Sequence, residues 1–115
     1  MKKLLVMLFA AVAISAFAAD TTVKGYLVDR ECASEVGSQP GFGPNHTKSC
    51  LQMPPCEKSG YAVLTDDKKI IKLDDKGNEA AKKFIAALTK NKDIKVAVTG
   101  DLKDDIITVT KIELQ

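Results

Sequence analysis

The segment HTKSCLQMPPC, residues 46–56, gathers the single histidine of the chain, two of its three cysteines and a methionine. Imidazole, thiolate and thioether are the ligand types that a soft cation selects, copper(I) above all. If Pro44-Asn45 starts a short helical turn, with Asn45 as its cap, His46 and Cys50 stand at i and i+4 and Met53 lies three further on. All three then share one face. The expected metal ligands are therefore His46, Cys50 and Met53. The plainer reading is a solvated loop histidine and a methionine that plugs an irregular gap. The spacing H-x3-C-x5-C matches no standard metal motif. A variant joins Cys32, Cys50 and Cys56 with His46 as a Cys3His zinc centre, although the C-x2-C knuckle common in such sites is missing.

Three cysteines permit at most one internal bridge. Cys32 follows the first expected strand and Cys56 shortly precedes the second. If those strands pair as a meander, the two thiols meet, which makes Cys32–Cys56 the expected disulfide. Closing about 25 residues stabilises by roughly 3.5 kcal/mol in the chain-entropy account. Cys32–Cys50 and Cys50–Cys56 are the alternatives. With Cys32 and Cys56 joined, Cys50 is left for a metal, or for a protein partner or a second copy of the chain.

Enzymatic constellations are thin. No C-x-x-C motif is present. Cys50 with His46 could form a thiol and its base, but no third group to orient the base is in view. Asp29, Glu31 and Glu35 read as a solvated face. Asp66-Asp67, Asp74-Asp75 and Asp104-Asp105 fall in turn-like stretches, where aspartate bonds its own backbone, and none has calcium-loop spacing. The expectation is a non-catalytic protein.

The elements that must position these residues begin after a leader. MKKLLVMLFAAVAISAFAAD carries Lys2 and Lys3, an unbroken apolar run from Leu4 to Ile14, and Ala16-Phe17-Ala18 before the cut. It reads as a signal peptide over residues 1–18, with one domain over 19–115. The apolar run is too short to anchor comfortably in about 30 Å of hydrocarbon. Export places the protein in the periplasm or outside the cell, where disulfides persist. Losing Lys2 and Lys3 leaves 15 basic against 15 acidic residues. A neutral domain with few aromatic residues has no footprint for nucleic acid.

Five strands are expected in the mature chain: Val23–Asp29, with a bulge or bend at Gly25; Gly60–Thr65; Lys69–Leu73; Ile94–Thr99, ended by Gly100; and Ile106–Leu114. Ala81, Phe84, Ile85 and Leu88 form one helical stripe, with Asn78 as the expected N-cap. Residues 33–55 hold all four prolines and three glycines, and read as a long loop bordered by Cys32 and Cys56. The expected fold class is mostly β within α+β. Its order β-β-β-α-β-β is that of the small five-stranded OB barrel.

GYLVDREC after the leader, HTKSCLQMPPC, SGYAVLTDDKKIIKLD and VTG before the last strand together resemble small exported bacterial proteins with an OB-like domain. That resemblance implies no particular activity. In strand order alone the chain is similar to exported OB-fold haem chaperones, which attach haem through a histidine followed three residues on by tyrosine. His46 is followed three residues on by Ser49, so haem attachment is not implied.

Overall fold

In the computed structural model, which describes residues 20–115, the chain enters on strand β1, Thr21–Asp29. The expected signal peptide and its cleavage point lie outside the described residues. Four short helices follow: α1 (Arg30–Val36), α2 (Phe42–Asn45), α3 (Lys48–Leu51) and α4 (Pro54–Ser59). Then come β2 (Tyr61–Leu64), β3 (Ile70–Leu73), α5 (Asp75–Ala87), β4 (Lys95–Lys103) and β5 (Ile106–Leu114). Helix and strand take near-equal shares, about 35% and 36%, so the domain is α+β rather than mostly β.

The five strands form one mixed sheet in the order β1-β2-β3-β5-β4, and β4 pairs back onto β1. Every contact is antiparallel except the short β3–β5 pairing at Lys72↔Ile106 and Leu73↔Ile107. β1 changes partner along its length. Thr21 to Tyr26 lie against β4, and Tyr26 to Asp29 lie against β2. The cross-over is tight enough that a Cβ on Gly25 would sit 2.2 Å from the Leu64 carbonyl oxygen, so only glycine fits there. The bulge itself lies elsewhere, between Thr99 and Gly100 of β4. Gly100 therefore does not end that strand, which continues to Lys103.

Residues 33–55 are the main departure from expectation. They are largely helical, not a loop, so the element order is β-α-α-α-α-β-β-α-β-β and not the expected β-β-β-α-β-β. Each break has a local cause. Asp29 caps α1 by accepting from the Cys32 amide, and Thr47 caps α3 by accepting from the Cys50 amide. Pro54 and Pro55 occupy the first turn of α4, where a missing N–H costs nothing. Asn45 ends α2 rather than capping a helix. In α5 the cap is Asp74, which accepts from the Gly77 amide. Asn78 instead accepts from the Tyr61 amide at 2.9 Å.

Two apolar layers hold these parts together. The inner one runs through Val23, Leu27, Tyr61, Val63, Ile71, Leu73, Val96, Val98 and Ile107, closed by Ala81 and Ile85 from the α5 stripe. Phe84 and Leu88 pack at its margin. Leu51 of α3 also enters this layer, fully buried, while Met53 is 51% exposed. The residue that plugs the sheet is thus leucine, not methionine. The second layer joins Val28, Ala33, Ala62 and Leu64, with Tyr26, Phe42 and Ile70 against it. β1 and β2 are consequently covered on both faces near their paired ends, and the helical insertion is the outer cover.

The Tyr61 hydroxyl donates to the Leu51 carbonyl at 2.9 Å in a buried position, tying insertion to sheet. Tyr61→Phe leaves that carbonyl short of a donor without opening a large cavity. The expected loss is about 1–2 kcal/mol, read as a lower urea midpoint. An unchanged midpoint would mean that the insertion docks independently of this bond.

Candidate functional site: a buried carboxylate between two thiols and a histidine

Asp29 ends β1 and caps α1, in extended conformation with φ −87° and ψ 153°. Its side chain is 0% exposed. One carboxylate oxygen, Oδ2, accepts from the Cys32 amide at 2.9 Å. The other, Oδ1, lies 2.6 Å from His46 Nε2. A carboxylate can only accept, so His46 Nε2 carries the proton in this bond. His46 is itself buried at 7% exposure, and its ring lies 4.8 Å from that of Phe42, tilted by 44°.

The thiols of Cys32 and Cys56 complete the cluster. A carboxylate oxygen of Asp29 and the two sulfurs all lie within 4.8 Å of one another. The topology brings these residues together. Asp29 pairs with Tyr61 at the last register position of β1 and β2, and the Arg30 amide donates to the Gly60 carbonyl at 2.9 Å. The start of α1 is thereby fixed beside the end of α4. Ser59 locks the two helices further: the Glu31 amide donates to its hydroxyl, which donates to the Cys56 carbonyl at 2.6 Å. The expected Cys32–Cys56 disulfide is not formed in this structure: the two sulfurs are neighbours but not at bonding distance, and both are free thiols.

The electrostatics of the three groups are linked. Burial alone would raise the Asp29 carboxyl, but donation from His46 and from the Cys32 amide outweighs it and lowers the group to about 2. Burial pushes the Cys32 thiol up, and the adjacent Asp29 charge adds to it, reaching about 12. Cys56 is raised by burial and then by Asp29. At neutral pH the site is one buried carboxylate facing two protonated thiols. Such thiols are weak nucleophiles. A bound cation would reverse their state, because a coordinating thiol gives up its proton.

The expected ligand set His46, Cys50 and Met53 does not gather on one helical face. His46 (φ −70°, ψ 127°) and Thr47 (φ −100°, ψ 157°) are both extended and separate α2 from α3. Thr47 is a good cap and starts a new helix there. Met53 precedes Pro54, which disfavours the helical conformation, and it breaks the chain again. His46 turns to Asp29, Cys50 is half-buried in α3, and Met53 projects from the surface. Among the described residues, the convergence of three His, Cys, Asp or Glu ligand atoms is Asp29, Cys32 and Cys56. The Cys3His arrangement is likewise not assembled, since Cys50 stands outside that cluster.

Asp29 is the residue that sequence reasoning placed wrongly, on a solvated face with Glu31 and Glu35. Glu31 and Glu35 are indeed exposed. The available signal was position: an aspartate between an apolar strand and a helix-forming run is a cap, and a cap points inward when the helix folds back onto its strand. No family model, no curated protein and no solved structure matches the chain.

Because the folded Asp29 carboxyl lies below its unfolded value, its contribution is present above about pH 4 and fades as the pH falls toward 2. The lowering from 3.8 to about 2 corresponds to something on the order of 2 kcal/mol. Asp29→Asn is expected to be less stable at neutral pH and to lose less on acidification between about pH 5 and pH 2.5. Urea midpoints across that range check this, and parallel curves for the two proteins would contradict it.

Proposed function

We propose that the protein is an exported, non-catalytic module built on an OB-like barrel, and that its insertion serves to hold a thiophilic metal ion. The observation that carries this reading is the convergence of Asp29, Cys32 and Cys56 within 4.8 Å. The ligand chemistry fits. Two thiolates and a carboxylate suit zinc(II), which accepts sulfur and oxygen together, better than copper(I), for which the carboxylate is too hard. On binding, the thiols release their protons to give three negative ligands around a divalent cation. The residual charge is blunted by the His46 Nε2–H and Cys32 N–H bonds to Asp29. In this reading His46 stands behind a ligand, orienting the carboxylate.

Two features support the non-catalytic part. The two clustered thiols are held protonated, and Asp29 is sealed from solvent by the insertion. No helix among the described residues is long and apolar enough to cross a membrane. Residues 1–18 supply the export reading, and with it a periplasmic or extracellular site of action.

A second reading has its own support. The same two sulfurs lie near either end of the insertion and within 4.8 Å of each other, so a small closing movement to a Cys32–Cys56 disulfide would staple the insertion of a purely structural or protein-interaction module. Cys50 would then be the sulfur available to a second chain.

The reduced protein comprising residues 19–115 decides between them by competition with a chelator for zinc(II) and copper(I). One equivalent of zinc is expected. Cys32→Ser and Cys56→Ser should each weaken it by at least on the order of 100-fold, while Cys50→Ser and Met53→Leu leave it unchanged. Retained affinity in Cys32→Ser with loss in Cys50→Ser would restore the loop ligand set. No binding at all in the reduced protein would leave the stapled module.

A further inference from the structure

A metal and a disulfide would draw on the same pair of sulfurs, which lie within 4.8 Å of each other. We propose that Cys32 and Cys56 form a redox-gated site: the reduced pair holds a divalent thiophilic ion with Asp29, and oxidation to a disulfide expels it. This rests on the metal-binding reading given above.

Three observations carry it. First, the sulfurs stand within 4.8 Å, so reaching a bond of about 2.05 Å needs a closing movement of less than about 3 Å. Second, both cysteines sit on short helices fastened to each other by side-chain and terminal bonds, through Ser59 and through the Arg30–Gly60 backbone pair. Neither is part of the hydrogen-bonded sheet, so this movement does not break a strand pairing. Third, Asp29 does not depend on the thiols for its partners. When the S–H groups are lost, its two oxygens keep the Cys32 amide and His46. The carboxylate is therefore satisfied in both states and need not move out.

The chemistry balances with an incoming disulfide as oxidant, either a small disulfide compound or the active-site disulfide of an oxidoreductase. From the metal-bound state, the two metal–sulfur bonds and the incoming S–S bond break. One Cys32–Cys56 bond forms, and the incoming sulfur pair takes two electrons from the Cys32 and Cys56 thiolates and two protons from solvent to leave as two thiols. The metal departs with its charge unchanged. A disulfide sulfur has no charge and lost its role as a ligand with its thiolate character. What remains is one carboxylate, too little to retain the ion.

The test uses residues 19–115 in a Cys50→Ser background, so that only the proposed pair can react. Cadmium(II) is the probe, read through its ultraviolet sulfur-to-metal charge-transfer band. Reduced protein is expected to show the band at one equivalent. Protein oxidised with glutathione disulfide, and shown by mass to have lost two hydrogens, is expected to show none, and dithiothreitol is expected to restore it. If the reduced protein lacks the band, the metal-binding reading itself fails. If the reduced protein binds and the oxidised protein binds equally well, only the gating fails. Oxidation that yields glutathione adducts in place of the internal bridge also overturns the gating.

Discussion

A carboxylate removed from water must be given donors or neutralised, and the structure around Asp29 follows from that requirement. A buried charge without partners costs several kcal/mol, more than a small domain can absorb. Here the donors come from two directions. The first turn of α1 supplies an amide, which obliges the chain to turn into a helix as soon as β1 ends. The insertion supplies His46, which obliges residues 42–46 to fold back over the β1–β2 end of the sheet. The burial of Asp29 and the docking of the insertion are thus one event.

The sheet contributes the second half of the geometry. β1 and β2 end side by side, so whatever leaves β1 and whatever enters β2 are neighbours. Cys32 and Cys56 occupy those two places, and the carboxylate lies at the seam between them. Farther along the insertion, the Lys48 amide and side chain donate to the Asn91 and Leu88 carbonyls, and the Asp93 amide donates to the Pro44 carbonyl. These bonds anchor the middle of the insertion to the α5–β4 connection. Arg30 braces the near side by donating to the Tyr61 and Leu73 carbonyls. The result is a cover pinned at three points, with the thiol pair beneath one corner.

The parts that could be read from the sequence are those with a local period. β2, β3 and β5 lie within a residue or so of their expected limits because apolar residues there recur every second position or run continuously between turn signals. The stripe Ala81, Phe84, Ile85 and Leu88 shows the helical period and does pack inward. The insertion helices have four to seven residues, too few to establish a period. Their starts are marked instead by single capping residues and by prolines that resemble loop punctuation. The start of α5 differs from the expected one for a similar reason: Asp74 and Asn78 are both good caps, and only the position of the Tyr61 amide makes Asn78 a bridge to β2. The place of Asp29 between β1 and the run that forms α1 marks it as a cap, but its burial depends on a segment 17 residues away, which no local pattern reveals. The meeting of Cys32 and Cys56 followed from strand pairing, whereas the divergence of His46, Cys50 and Met53 followed from two chain breaks set by Thr47 and Pro54.

The central claim is that a buried carboxylate and two specific sulfurs make one metal site. X-ray absorption at the zinc edge of the zinc-loaded, reduced protein tests it without relying on substitutions. Two sulfur scatterers at about 2.3 Å, together with oxygen or nitrogen near 2.0–2.2 Å, are expected. A first shell with one sulfur, or with three, would contradict the claim.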